Sequence, residues 1–149
     1  MTSLRWSLGV LALVAATAAP AFAQEANPAG KVKVASGAAF IVRNGTAIPA
    51  QPGQTVLEND GLRTGPDGTL GVTLKDDTRV SLGPSSEVRV ERFVYAPGGG
   101  NLEMALKFVR GVAAYVAGRI AKLAPDAVRL ETPAAIVGVR GTSLVIRVQ

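Results

Sequence analysis

Apolar and polar residues alternate with period two along most of the chain beyond residue 24, the spacing of strands with one buried and one wet face. Leu70, Val72 and Leu74 alternate with Thr69, Gly71 and Thr73, and Val80 and Leu82 with Arg79 and Ser81. Glu87, Arg89 and Glu91 point away from Val88 and Val90 in a run that ends Phe93-Val94-Tyr95. Leu102, Met104, Leu106 and Phe108 oppose Glu103 and Lys107, and Leu144, Ile146 and Val148 oppose Arg147. Each apolar set predicts one contribution to a shared core. Turn formers separate these runs at Arg43-Asn44-Gly45, Glu58 to Gly61, Gly65 to Gly68, Lys75 to Thr78, Gly83-Pro84 and Pro97 to Gly100. Brief strands with regular turns predict an all-β domain: a meander, sandwich, barrel or short solenoid. Thr64-Gly65-Pro66 before Leu70 and Val72 is echoed by Leu82-Gly83-Pro84 before Val88 and Val90. That echo favours a short β-solenoid or roll of stacked rungs over a β-sandwich.

One stretch fits two periods. Val112, Tyr115, Val116, Ile120 and Leu123 also match the spacing of an amphipathic helix. Gly111 and Gly118 would each cost such a helix about 1 kcal/mol relative to alanine, while Val, Tyr and Ile favour pleated surroundings. The expectation is a strand followed by one short helical turn.

The N-terminus has a different logic. Arg5 supplies a positive end, Trp6 to Ala19 is an uncharged apolar run, and Ala21-Phe22-Ala23 is a small-x-small triplet before Gln24. This is the three-part pattern of a cleaved signal peptide, and the apolar run is shorter than the roughly 20 residues a spanning helix needs. Residues 1–23 are therefore expected to be removed, leaving 24–149 as one domain, periplasmic or secreted, with no membrane span. No cysteine is present, so lipid attachment through cysteine and disulfide stabilisation are both excluded.

Composition narrows the chemistry. The net charge is +5, but cations and anions alternate along the chain and aromatics make up only 5% of it. Nucleic-acid binding needs cations gathered on one face with aromatics between them, so no nucleic-acid partner is expected. With no histidine and no cysteine, Ser-His-Asp and Cys-His machinery is impossible and transition metals lose their preferred ligands. A Ser-Lys pair using Lys122, or a carboxylate pair drawn from Asp60, Asp67, Asp76 and Asp77, remains chemically conceivable. Each of those aspartates lies in a turn beside Gly, Pro or Thr, where the side chain commonly bonds its own backbone. The expectation is no enzymatic activity, no catalytic residue, no metal and no cofactor.

Three stretches carry a family resemblance: Gly61-Leu62-Arg63-Thr64-Gly65, then Leu74 to Glu87 with Asp76-Asp77-Thr78-Arg79 and Gly83-Pro84-Ser85-Ser86, and finally Thr132-Pro133 to Gly141-Thr142. In that order behind a signal peptide they resemble the FecR domain, the periplasmic domain of ferric-citrate-type regulators. Asn59 and Asp77 stand where that family tends to have glycine; Asn and Asp best tolerate positive φ, so both turns are expected to survive. The resemblance implies a periplasmic domain that contacts a TonB-dependent outer-membrane receptor in signalling members. Those members relay the signal through a membrane helix to a cytoplasmic sigma factor, parts this chain is expected to lack.

The resemblance also frames the candidate residues. Gly61, Gly65, Gly83, Pro84, Pro133, Gly138, Gly141 and Thr142 are expected to set backbone geometry. Arg63 and Arg140 are candidate binding residues, although an arginine with five donors can equally tie neighbouring backbone carbonyls together. Partners are expected to be an envelope protein, either an outer-membrane receptor or a periplasmic component. The alternative is peptidoglycan or another envelope glycan. For a glycan, Phe93, Tyr95, Phe108 and Tyr115 are the aromatics available for stacking; alternation places Phe108 inside, leaving Tyr95 and Tyr115 as the candidates.

Overall fold

A computed structural model describes residues 27–137 and 141–149. The expected signal peptide, Gly138 and Arg140 lie outside the described residues. In chain order the strands are β1 (Pro28–Ser36), β2 (Ala39–Arg43), β3 (Thr46–Pro49), β4 (Thr55–Leu57), β5 (Gly61–Thr64) and β6 (Thr69–Leu74). They continue as β7 (Arg79–Leu82), β8 (Glu87–Ala96), β9 (Asn101–Val116), β10 (Val128–Glu131), β11 (Ile136–Val137) and β12 (Ser143–Val148). The single α-helix among the described residues, α1 (Arg119–Leu123), follows β9 as the strand-then-turn expectation required.

The strands form one curled antiparallel half-barrel in the order β3-β2-β5-β8-β9-β7-β6-β1-β4. β9 joins its two halves. Its first part pairs with β8 and, in parallel, with β10; its second part pairs with β7 and β12. The turn between these roles is Gly111, at φ +81°. The all-β expectation holds, while the stacked-rung detail receives no support: every ladder except β9–β10 is antiparallel. The echoed Gly-Pro turns abut side by side, with the Thr64 hydroxyl donating to Gly83 O at 2.6 Å and Ser85 N donating to Gly65 O at 2.9 Å.

Burial follows the alternation read from the sequence. Leu70, Val72, Leu74, Val80, Leu82, Val88 and Val90 all face one interior with Met104, Leu106 and Phe108. Two bulges redirect it. Glu91 is an extra residue in β8, which turns Phe93 inward to full burial. Lys33 is an extra residue in β1, and its effect is the reverse: Val34, two places after buried Val32, points outward and is 58% exposed. Bulges re-aim side chains in this way.

The turn aspartates serve the fold. Asp60 is buried and holds Arg43 through both carboxylate oxygens, at 2.9 and 2.7 Å, while accepting Leu57 N at 2.7 Å. That hydrogen bond holds the Arg43 guanidinium above its ordinary pKa. Asn59 and Asp77 take positive φ, 72° and 69°, as expected of these two turns.

Candidate interaction face

Outside the core, the half of the sheet built by β1, β6, β7, β9 and β12 presents an open face. Register places Val34 beside Gly71, Gly71 beside Ser81, Ser81 beside Ala114, and Ala114 beside Val145. One row therefore crosses five strands, with a floor of three small residues between two valines. Val145 is 71% exposed, more than Val34 at the other end. The row walls an apolar trough of about 450 Å3, closed on its far side by Thr69, Gly83 and Val112.

The trough opens sideways onto a second hollow that shares Val34, Gly71 and Ser81 and adds Lys33 and Arg79. A third hollow continues from Lys33 and Thr73 to Lys31 and Lys75. Lys31, Lys33, Lys75 and Arg79 are all exposed. Among the described residues none of the four has a carboxylate within ion-pair distance; Asp77, the anion nearest them along the lining, is paired with Arg119 at 3.3 Å. Apolar floor and cationic flank thus share a single face, with exposed Arg147 beside Val112 as the one cation of the described residues placed by register at the other side.

Gly71 explains why the floor is low. Its backbone is not left-handed, and a Cβ there would meet only Val34, at 3.5 Å, an ordinary contact. Glycine inside a strand weakens it and often marks a bulge or close approach by a ligand or another backbone; Gly71 lies opposite the β1 bulge and leaves the floor low.

The residues singled out from sequence fall elsewhere. Arg63 meets Glu87 across the β5–β8 ladder at 3.5 Å, and Glu87 also receives Arg110 at 3.7 Å. Arg63 thus pairs with a carboxylate across the ladder, a tie within the fold. Tyr115 is wholly buried, which corrects its place as a stacking candidate; Phe93 and Phe108 are equally internal. Alternation along β9 puts Tyr115 on the same side as Ala113, and both point to the core. Tyr95 is half-buried and is occupied by Arg119, whose guanidinium is raised above its ordinary pKa by the Tyr95 hydroxyl first and Asp77 second.

Among the described motif residues, Gly61, Gly65 and Gly83 sit where the backbone packs closely. A Cβ on Gly65 would stand 2.9 Å from Ala38 Cβ, one on Gly83 2.7 Å from Val112 Cγ1, and one on Gly61 3.3 Å from Val42 Cβ. Pro84 O accepts the Ser86 hydroxyl at 3.0 Å. Pro133 lies in an exposed turn closed by Thr132 and Ala135. Gly141 has φ +113°, and Thr142 O accepts Ala117 N at 2.7 Å. Sequence reasoning missed the trough because its floor residues, read singly, are unremarkable surface positions; Val34, on an otherwise wet face, is visible only once the bulge is known.

Tyr115 carries a testable consequence. Its hydroxyl is buried with no hydrogen-bond partner among the described residues, and burial, then the charge of Asp76, push its pKa up to about 12. An orphaned buried hydroxyl is a cost of roughly 1 kcal/mol or more. Tyr115→Phe is expected to raise urea-unfolding stability by about 1 kcal/mol; a loss of that size would reveal a partner for the hydroxyl. The raised pKa contributes stability that is complete below the unfolded value near 10 and is lost as pH climbs towards 12. The variant should lack that alkaline decline.

Fold and face together define a class: an antiparallel all-β domain with an open amphipathic sheet surface. The model of the family described as FecR protein matches residues 60–149, and the chain belongs to that family. Membership makes it a signalling-related, envelope-associated module. No curated protein and no solved structure was found to match the chain. The family match covers β5 to β12, so β1, with Lys31, Lys33 and Val34, precedes the matched residues. Among the described residues no helix is long and apolar enough to cross a membrane.

Proposed function

We propose that this protein is a non-enzymatic interaction module of the bacterial cell envelope, exported through a cleaved signal peptide, which recruits a protein partner through the outer face of β1, β6, β7, β9 and β12. The observation that carries this reading is the continuous solvent-facing row Val34–Gly71–Ser81–Ala114–Val145, mostly apolar, beside cations that have no carboxylate within ion-pair distance among the described residues. Surfaces that combine an apolar centre with a charged margin are the usual anatomy of recognition sites. Resemblance to the sensor domain of FecR-type transducers supports the same class of role. An envelope glycan is a weaker occupant, because Phe93, Phe108 and Tyr115 are buried and cannot stack on a sugar.

Crosslinking a tagged copy in its native envelope tests this. A discrete adduct containing one protein is the expected result. Sedimentation with purified peptidoglycan in place of such an adduct would assign the glycan role, and release of sugars from peptidoglycan would overturn the non-enzymatic reading.

A further inference from the structure

From the geometry of that face we propose its occupant: an amphipathic α-helix of the partner protein, apolar along one stripe and acidic along one flank. The inference rests on the interaction reading above. Four properties of the face select this ligand.

The backbone of β6, β7 and β9 is already committed to ladders on both sides. Away from its β12 margin, which among the described residues pairs with β9 alone, the face therefore offers an incoming chain no main-chain hydrogen bonds. An extended peptide laid on it would lose water from its own N–H and C=O groups without compensation, whereas a helix satisfies them internally. Extended ligands are better served by sheet edges.

The trough runs across the strands from Val34 to Val145. At about 4.8 Å per strand spacing, its length is roughly 19 Å, which matches about 13 residues of helix at 1.5 Å each. Gly71, Ser81 and Ala114 give a floor low enough for a helix to approach closely, and the valines at its ends stand as stops.

The charge is heavier on one side: four cations lie towards β1 and β6, against exposed Arg147, which register places beside Val112 across the trough. Lys33 and Arg79 line the adjoining hollow, with Lys31 and Lys75 beyond. A helix seated on the floor would turn one flank towards these cations, and carboxylates there would find them without competing carboxylates within ion-pair distance among the described residues. A second copy of this chain is a poorer occupant, since its net charge is +5 and like charges repel.

The test uses the protein expressed with its own leader and purified from the envelope fraction, immobilised against a displayed library of helical peptides of about 14 residues. Selected peptides are expected to carry an apolar stripe with Asp and Glu on one side of it. Gly71→Leu, which fills the trough where a side chain is sterically tolerated, should weaken the selected peptides at least about tenfold, and Lys33→Glu with Arg79→Glu should do the same at low salt. The charge-reversal variant alters exposed residues only, so it keeps the test valid if Gly71→Leu fails to fold; thermal melts of both establish that. Peptides without an acidic flank, no selection at all, or affinity unchanged by either variant would overturn the proposal. So would sedimentation with phosphatidylglycerol vesicles that charge reversal abolishes, which would make the ligand a lipid surface. A protein adduct in the envelope together with failure here would leave the interaction reading standing and remove only the helix.

Discussion

Asp76→Ala is expected to destabilise the domain by about 3–5 kcal/mol. The carboxylate is fully buried, and its two oxygens accept from Thr78 N at 3.1 Å, the Thr78 hydroxyl at 2.8 Å and Ile120 N at 3.2 Å. Its backbone carbonyl accepts Arg119 N at 2.7 Å. One residue thus closes the β6–β7 turn and holds the first turn of α1 against it. Alanine would strand two backbone N–H groups and a hydroxyl away from water, each costing about 1–3 kcal/mol. Domains of this size are stable by only about 5–15 kcal/mol, so roughly a fifth or more of the total should vanish in urea titration. Asp76→Asn keeps an acceptor oxygen and should cost distinctly less. A loss below about 1 kcal/mol for alanine would show that the turn and helix do not depend on the carboxylate.

Gly111→Ala should be similarly damaging. At φ +81° the residue occupies a conformation that costs an L-amino acid about 1–2 kcal/mol. The added methyl would also run into Ser86 Oγ and lie 2.6 Å from Ser85 O. The Ser86 hydroxyl is held there because it accepts from Val112 N at 2.9 Å and has its single proton between Val112 O and Pro84 O, each at 3.0 Å. Overpacking typically adds about 1–3 kcal/mol, so a total of about 2–5 kcal/mol is expected. The loss should be cooperative, because this residue is where β9 passes from one half of the sheet to the other. Separate melting of the two halves, or a loss under about 1 kcal/mol, would contradict the shared-strand architecture.

Much of this fold is legible in the sequence because alternation is a direct imprint of the pleat. The cores of β6, β7, β8 and β9 fall where Leu70, Val80, Val88 and Met104 place them, and positive φ at Asn59 and Asp77 follows from residue chemistry alone. Long-range partners are not legible. Asp76 bonding Thr78 is local and expected, but its bond to Ile120 spans a separation that no pattern encodes. Bulges are equally silent: Val32-Lys33-Val34 reads as ordinary alternation with both valines inside, yet the inserted Lys33 turns Val34 out. Tyr115 misled because a helical spacing overlays the pleated one there, and because a phenol normally seeks a partner that the described residues around it do not provide. The candidate face was hidden for both reasons, being assembled from strands far apart in sequence and dependent on a bulge.

The most direct measurement places a photo-crosslinking side chain at Ser81, the centre of the trough floor, and compares it in the native envelope with the same probe at Glu91 on β8. Recruitment through the proposed face requires a discrete protein adduct from position 81, lost in Gly71→Leu, and none from position 91. Equal adducts from both positions, or an adduct from position 91 alone, would show that whatever this domain binds is held elsewhere.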